Sequence, residues 1–353
     1  MGRRDRAIAV LKILVLSNRV PFVWGGAEEL SFHLVRRLKE AGHQAEEMRL
    51  PFSWNPAERL IEEMVIARSV RLTNVDRVIA LKFPSYLVPH RNQVIWLLHQ
   101  FRQAYDLFDS GQSHIERTPE GDAIRSAIRT ADEAAFRSAC AVYALPNAAR
   151  RVKQYNGVDA AILSQPLNDP ELFAGGEDNG FILAAGRIGD AKRQSLLIEA
   201  LPYAPGVRLV LAGPPDGPSV FDSLQALARR CGVADRVTFD LRFLPRQELA
   251  ELVNGCTASA YVPFDEDSVA YVTMEAFQAG KPVITCTDSG GLLEIVIDGE
   301  TGLVVEPRAE TLGRAMADMI ADRSRAARMG AAGRSLLVER DVTWPKTLEK
   351  LLG

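Results

Sequence analysis

Cysteine is scarce. Only four occur in 353 residues, and Cys140, Cys231, Cys256 and Cys286 lie far apart, without paired or metal-ligand spacing. That scatter excludes a disulfide scaffold and a cysteine-built zinc site, and it predicts buried thiols in a reducing cytoplasm. No stretch approaches the roughly 20 uninterrupted apolar residues of a membrane-spanning helix. The basic start, GRRDRAIAVLKILVLSN, imitates a signal peptide, but Lys12 interrupts its apolar run and no small-residue cleavage site follows. A disordered tip leading into a first strand is expected there. The GxGxxG dinucleotide fingerprint is missing, which removes the main support for hydride transfer. Solenoid repeats and low-complexity tracts are absent too. With a net charge of -3 there is no basic excess to mark a nucleic-acid partner.

What is present is alternation. Apolar runs of four to six residues alternate with amphipathic stretches along the whole length, as in helices packed on parallel sheets. The first half offers strands at 12–17, 45–50, 76–81, 93–99 and 141–145, and a helix at 27–41 in which Leu30, Leu34 and Leu38 recur at helical spacing. A second series begins at FILAAG (181–186). Between them QPLNDPELFAGGEDNG is rich in Pro, Gly, Asn and Asp and reads as a linker. A chain of this length exceeds the roughly 250 to 300 residues at which single cores stop growing. The expected division is a first Rossmann-like domain at 1–165, a linker at 166–179, a second Rossmann-like domain at 180–335, and a helical tail at 336–353. The tail should break at Trp344-Pro345, because proline removes a backbone donor, and return to the first domain. The fold class is α/β, with two doubly wound domains facing each other across a central cleft.

The stretch from Ala258 to Pro307 carries the strongest local pattern. A strand near 259–262 leads into an acidic loop and then a helix bearing Glu275. A second strand at 283–286 runs to Gly290-Gly291, with a further helix beginning near Leu292. Loops after adjacent parallel strands emerge on one sheet edge, beside helix N-termini that attract anions. Glu275 could accept both hydroxyls of a vicinal diol such as a ribose, or be an ordinary helical glutamate near a positive helix end. In GRIGDAKRQS, Gly186 opens a turn on which Arg187 and Lys192 could converge on a diphosphate, or simply be solvated. Gly25-Gly26 permits close backbone approach to a phosphate or sugar, or is only a tight turn. His99, at the end of VIWLLH, sits where ligands bind in open α/β sheets; a satisfied core histidine is the alternative. Asp265-Glu266-Asp267 contains a DxD tripeptide, which some sugar-transferring enzymes use to hold a metal. Basic residues near the leaving group argue against a metal here.

These residues together resemble the retaining glycosyltransferases of family 4, the glycosyl transferases group 1, which have the GT-B fold. The family signature has two acidic residues eight positions apart, then a small-residue run, GxPV and GGxxE. This sequence has Asp267 to Glu275 (DSVAYVTME), AFQAGKPVITCTDSGGLLE ending at Glu294, and DGETGLVVEP. GRIGDAK matches the donor-phosphate pair, and GGAEEL and His99 match weaker N-terminal features. The first acidic position is usually Glu and is followed by a glycine-containing segment, often EGFG; here it is Asp267-Ser268-Val269-Ala270.

The resemblance implies transfer from a nucleotide-diphosphate sugar to a sugar or lipid-linked hydroxyl acceptor, with anomeric retention and without metal or other cofactor. Glu275 would hold the ribose, and Arg187 with Lys192 would stabilise the departing diphosphate. Asp267 or Glu266 would contact the donor sugar, with His99 facing it. Gly186, Gly290 and Gly291 would line the donor loops, and Gly25-Gly26 the acceptor side. Two other readings remain open at this level: a GT-B protein that binds a nucleotide sugar or partner without turnover, and a nucleotide-sugar epimerase, for which no acid/base pair stands out. The first half carries a slight positive excess. Arg36, Arg37 and Lys39, and Arg150, Arg151 and Lys153, are candidates for peripheral contact with an anionic inner membrane face.

Overall fold

The structure is a computed structural model that describes residues 9–22 and 24–353. The tip expected to be disordered, residues 1–8, lies outside the described residues, as does Val23 in the loop before Gly25. The chain divides into two compact units. One comprises the residues up to Pro166 together with Thr343–Gly353, and the other comprises Leu167–Val342.

The first unit holds strands β1 (Lys12–Arg19), β2 (Gln44–Pro51), β3 (Arg77–Ala80), β4 (Gln93–Leu97), β5 (Ala141–Ala144) and β6 (Ala161–Ile162). They pair in parallel in the order β2-β1-β3-β4-β5-β6. Alternate side chains feed two cores. Val78, Ala80, Ile95 and Leu97 point to one face, and Ile79, Val94 and Trp96 to the other. Burial on both faces is why these strands read as continuous apolar runs.

The second unit repeats the design with β7 (Ile182–Ala185), β8 (Leu209–Ala212), β9 (Val237–Asp240), β10 (Ala258–Ala260), β11 (Val283–Cys286) and β12 (Gly302–Val305), in the order β12-β11-β10-β7-β8-β9. All of its strand pairs are parallel. The direction of winding reverses between β7 and β10. Loops leaving such a reversal diverge and open a crevice at the carboxyl ends of the strands.

Four expectations need correction. The tail does not break at Trp344-Pro345. The break is at residues 341–343, with Asp341 at φ 48°, and Trp344-Pro345 opens the helix Trp344–Leu352. Proline is tolerated in a first turn, where its missing N–H would have had no helical partner. That helix packs into the first unit, with Trp344 edge-on to Trp96 at 6.4 Å and Leu348 and Leu351 in the same core. The helix expected from Leu292 is a single 3₁₀ turn, Gly291–Glu294. The segment read as a linker is packed: Phe173 is fully buried beside Leu183 and Ala250, and the Gly175 N–H donates to Asn254 Oδ1 at 2.9 Å. Burying such a ring contributes about 1.5 to 3 kcal/mol. Finally, Cys256 and Cys286 are buried, and burial pushes both thiols up to about 12, but Cys140 is exposed.

Candidate functional site

The loops that leave β7 and β10 flank the winding reversal, and they carry the predicted charges. After β7 the chain turns at Gly186 (φ 114°) and passes Arg187. A 3₁₀ turn, Asp190–Lys192, and the seven-residue helix Gln194–Ala200 follow. Arg187 Nε lies 3.1 Å from Asp216 Oδ1 in the loop after β8, with both side chains nearly half exposed. Lys192 Nζ is bonded to Glu266 Oε2 and stands 5.3 Å from the centre of the Tyr261 ring. The Tyr261 hydroxyl donates to the same carboxylate oxygen at 3.0 Å. Burial, and then the Glu266 charge, raise its pKa well above the usual phenol value. Arg187 and Lys192 are thus brought to one edge, each with an acidic partner that the sequence did not reveal. Asp267 is buried and Glu266 about one-quarter exposed, so it is Glu266 that meets the Lys192 ammonium.

The loops after β10 and β11 are stitched together. Asp265 N–H donates to Asp288 O at 2.8 Å, Glu266 N–H to Ser289 O at 3.2 Å, and Gly291 N–H to Glu266 O at 2.7 Å. Gly291, expected to line a donor loop, thus spends its N–H on the Glu266 carbonyl. Gly290 sits at φ 69°, where a Cβ would come within 2.5 Å of Glu266 O, so only glycine fits. Arg193, unnoticed in the sequence, closes the arrangement. Its guanidinium donates to Val262 O at 2.7 Å, to Pro263 O at 2.8 Å, and bidentately to Asp288 at 2.8 and 2.7 Å. Ala270, which precedes the helix Tyr271–Gln278, has φ 57° and ψ 139°.

Glu275 lies on that helix with its side chain only 2% exposed. Its Oε1 accepts from Arg246 Nη1, at the start of the helix Arg246–Gly255. The same guanidinium donates to Asn168 O at 2.9 Å and lies over the Phe173 ring at 4.7 Å. A basic residue in the first turn of a helix opposes the helix dipole; that local oddity was the one sequence signal for Arg246. Among the described residues, no group of three or more His, Cys, Asp or Glu side chains could hold a metal ion.

In the first unit, Gly25 caps the helix Gly26–Glu40, and its N–H donates to Glu28 Oε2 at 3.0 Å. Glu28 in turn pairs with Lys82 at 2.9 Å. Burial works against the Glu28 carboxylate, but the Lys82 charge and hydrogen bond prevail and lower its pKa. Beside this loop a pocket of about 670 Å³ is lined by Arg19, Phe22, Trp24, Phe32, Glu47 and Arg49. Arg49 stacks on Trp24 at 5.1 Å. His99 is exposed two residues beyond β4 and donates from Nδ1 to Gln100 O at 2.9 Å. The basic helix faces are partly neutralised: Arg36 and Arg37 lie 3.2 and 2.7 Å from Glu40, Lys153 lies 2.7 Å from Asp159, and Arg151 is buried. No helix among the described residues is long and apolar enough to cross a membrane.

Residues 170–336 match the family model described as glycosyl transferases group 1, a span lying wholly inside the second unit. The second unit is a glycosyl transferases group 1 domain. The family expected from the acidic signature and GRIGDAK is therefore borne out. Its relatives include a D-inositol 3-phosphate glycosyltransferase of Stackebrandtia nassauensis, 32% identical over 218 residues, 55% of this chain and 48% of that one. Another is a GDP-mannose-dependent alpha-(1-6)-phosphatidylinositol monomannoside mannosyltransferase of Mycobacterium tuberculosis, 36% identical over 163 residues, 43% of this chain and 41% of that one. The chain spans about half the length of the curated relatives it matches.

Solved structures carry the likeness across both units. Sucrose-phosphate synthase from Thermosynechococcus elongatus aligns with a TM-score of 0.78 at 18% identity, over 96% of this chain and 97% of that one. Anabaena HepE in complex with UDP and glucose aligns with a TM-score of 0.71 at 19% identity, over 97% and 98%. At that identity the likeness speaks for the fold, and the fold is GT-B. In the group 1 domain, the winding reversal between β7 and β10 carries the predicted donor-side charges.

Proposed function

We propose that the protein is a glycosyltransferase that moves a sugar from a nucleotide-diphosphate sugar to a hydroxyl acceptor, with retention at the anomeric carbon. One observation carries this reading: Arg187, Lys192 and Glu266 gather where winding reverses in the group 1 domain. An arriving diphosphate would take the place of Asp216 and Glu266 as the partner of the two cations. Release from Asp216 is easy, because an exposed ion pair is worth only about 0 to 1 kcal/mol. The freed Glu266, or Asp267, would meet the donor sugar hydroxyls, and Glu275 the ribose. Arg187 and Lys192 would supply the positive charge that stabilises the leaving diphosphate, so we propose chemistry without a metal.

The first-unit pocket supports an acceptor with an anionic group, through Arg19 and Arg49, and a flat or apolar body, against Trp24 and Phe32. The names of the inositol-phosphate and phosphatidylinositol-mannoside relatives agree with such chemistry. For a lipid-linked acceptor we propose peripheral contact with an anionic inner-face membrane through Lys39 and Arg150. Protein that stays in the supernatant with anionic vesicles at low salt would remove that part.

The central test is product formation from labelled UDP and GDP sugars. Arg187→Ala and Lys192→Ala should each lower turnover about 10-fold to 1000-fold, the rate equivalent of roughly 1.5 to 4 kcal/mol of transition-state stabilisation. Undiminished turnover in both variants would sink the assignment.

A further inference from the structure

We infer that Arg246 is the positioning residue of the nucleotide site: it sets the direction of the Glu275 carboxylate, so that ribose recognition depends on a side chain outside the acidic signature. The inference rests on the nucleotide-sugar reading above. Glu275 is almost wholly buried, and a buried carboxylate persists only with a charged, hydrogen-bonding partner. Arg246 is that partner, although its place at the first residue of a helix is electrostatically unfavourable.

The guanidinium is not free to swing. Asn168 O takes a second N–H at 2.9 Å, the centre of the fully buried Phe173 ring lies 4.7 Å from Arg246 Cζ, and Asp169 Oδ2 stands 3.9 Å from Nε. A planar fork held on three sides transmits its orientation to the carboxylate it grips, which a flexible ammonium would not do as well. A carboxylate offers about four acceptor directions, so the Arg246 bond can orient Glu275 and still leave room for a diol. A vicinal diol needs that orientation, because its two O–H groups are fixed relative to each other.

The experiment is calorimetric titration of the full chain with UDP, GDP and ADP and with their 2′,3′-dideoxy counterparts. Wild type should bind its preferred ribonucleotide about tenfold or more tightly than the dideoxy form. In Arg246→Met the ribonucleotide should weaken about tenfold while the dideoxy form is unchanged, so the ratio falls toward one; Arg246→Lys should recover part of it. A wild-type ratio in folded Arg246→Met, or equal weakening of both nucleotides, would overturn the inference. Should Arg246→Met not fold, Phe173→Leu keeps the charge and removes the platform. A severalfold drop in the ratio then supports the inference and an unchanged ratio overturns it. Folded wild type that binds a nucleotide without distinguishing the two sugars refutes the inference alone, whereas wild type that binds none refutes the nucleotide-sugar reading beneath it.

Discussion

Ala270 offers a sharp test of how the acidic loop is built. Its φ of 57° and ψ of 139° lie where glycine rests easily and where a Cβ collides with its own backbone. Holding an L-residue in such a region costs about 1 to 3 kcal/mol. Replacing Ala270 by glycine removes that cost. It also adds about 0.4 to 1 kcal/mol of unfolded-chain entropy, and it gives up part of a methyl worth about 0.8 kcal/mol when fully buried. For strain near the upper half of its range, the balance is a stabilisation of about 1 kcal/mol. In a domain of this size that raises the melting temperature by about 2 to 4 °C. Scanning calorimetry of wild type, Ala270→Gly and Ala270→Val reads it directly. The expected order is Gly above Ala above Val, since a β-branched side chain is worse still at positive φ. A glycine variant that melts below wild type, or a valine variant that matches it, would refute the reasoning. The result bears on the proposed function too, because the same loop carries Glu266 and Asp267.

Asp132 is fully buried and accepts from the Tyr86 and Tyr105 hydroxyls at 2.9 and 2.7 Å, and burial raises its pKa to about 7. The folded state therefore holds a proton that the unfolded state loses near pH 4, so the contribution of Asp132 to stability is fully present in acid and declines as pH rises toward 7, by up to about 1.4 kcal/mol per unit. Urea titrations across pH 4 to 8 should show this slope in wild type and a flatter one in Asp132→Asn; parallel slopes would contradict it. Gly330→Ala would put a Cβ 1.9 Å from Gly280 O, a backbone atom that cannot step aside, and should cost about 2 to 3 kcal/mol by the same denaturant measurement. Trp344→Ala removes the tail's anchor on Trp96 and should destabilise the first unit by about 3 to 5 kcal/mol; a loss under 1 kcal/mol would mean the tail packs independently of that ring.

The long strands and their order of appearance were legible because parallel strands buried on both faces spell out apolar runs. Strand β6 was not, since its two residues are exposed, and β12 hid behind the turn residues of DGETG. Arg187, Lys192 and Glu275 could be located because each sits in a local pattern of glycine, charge and helix. Their pairings could not. Asp216, Glu266 and Arg246 meet them only through loops brought together by the sheet, at separations of 29 residues between Arg246 and Glu275 and 74 between Lys192 and Glu266. Arg193 stands beside Lys192 in the sequence, with nothing local to single it out. Its grip on two backbone carbonyls and a carboxylate is a tertiary fact with no sequence period.

The Arg193 clasp and the fit of Gly290 against Glu266 bear on how the loops of the proposed sugar site can be exchanged. A segment of 259–270 borrowed from a relative would meet the host's 287–291 across hydrogen bonds and a glycine contact shaped for another partner. Arg193, anchored in a third segment, would bind carbonyls that had moved. The three pieces form one hydrogen-bonded unit. Substitutions within it should be strongly non-additive, and a graft should succeed when all three are exchanged together and fail when any one is exchanged alone.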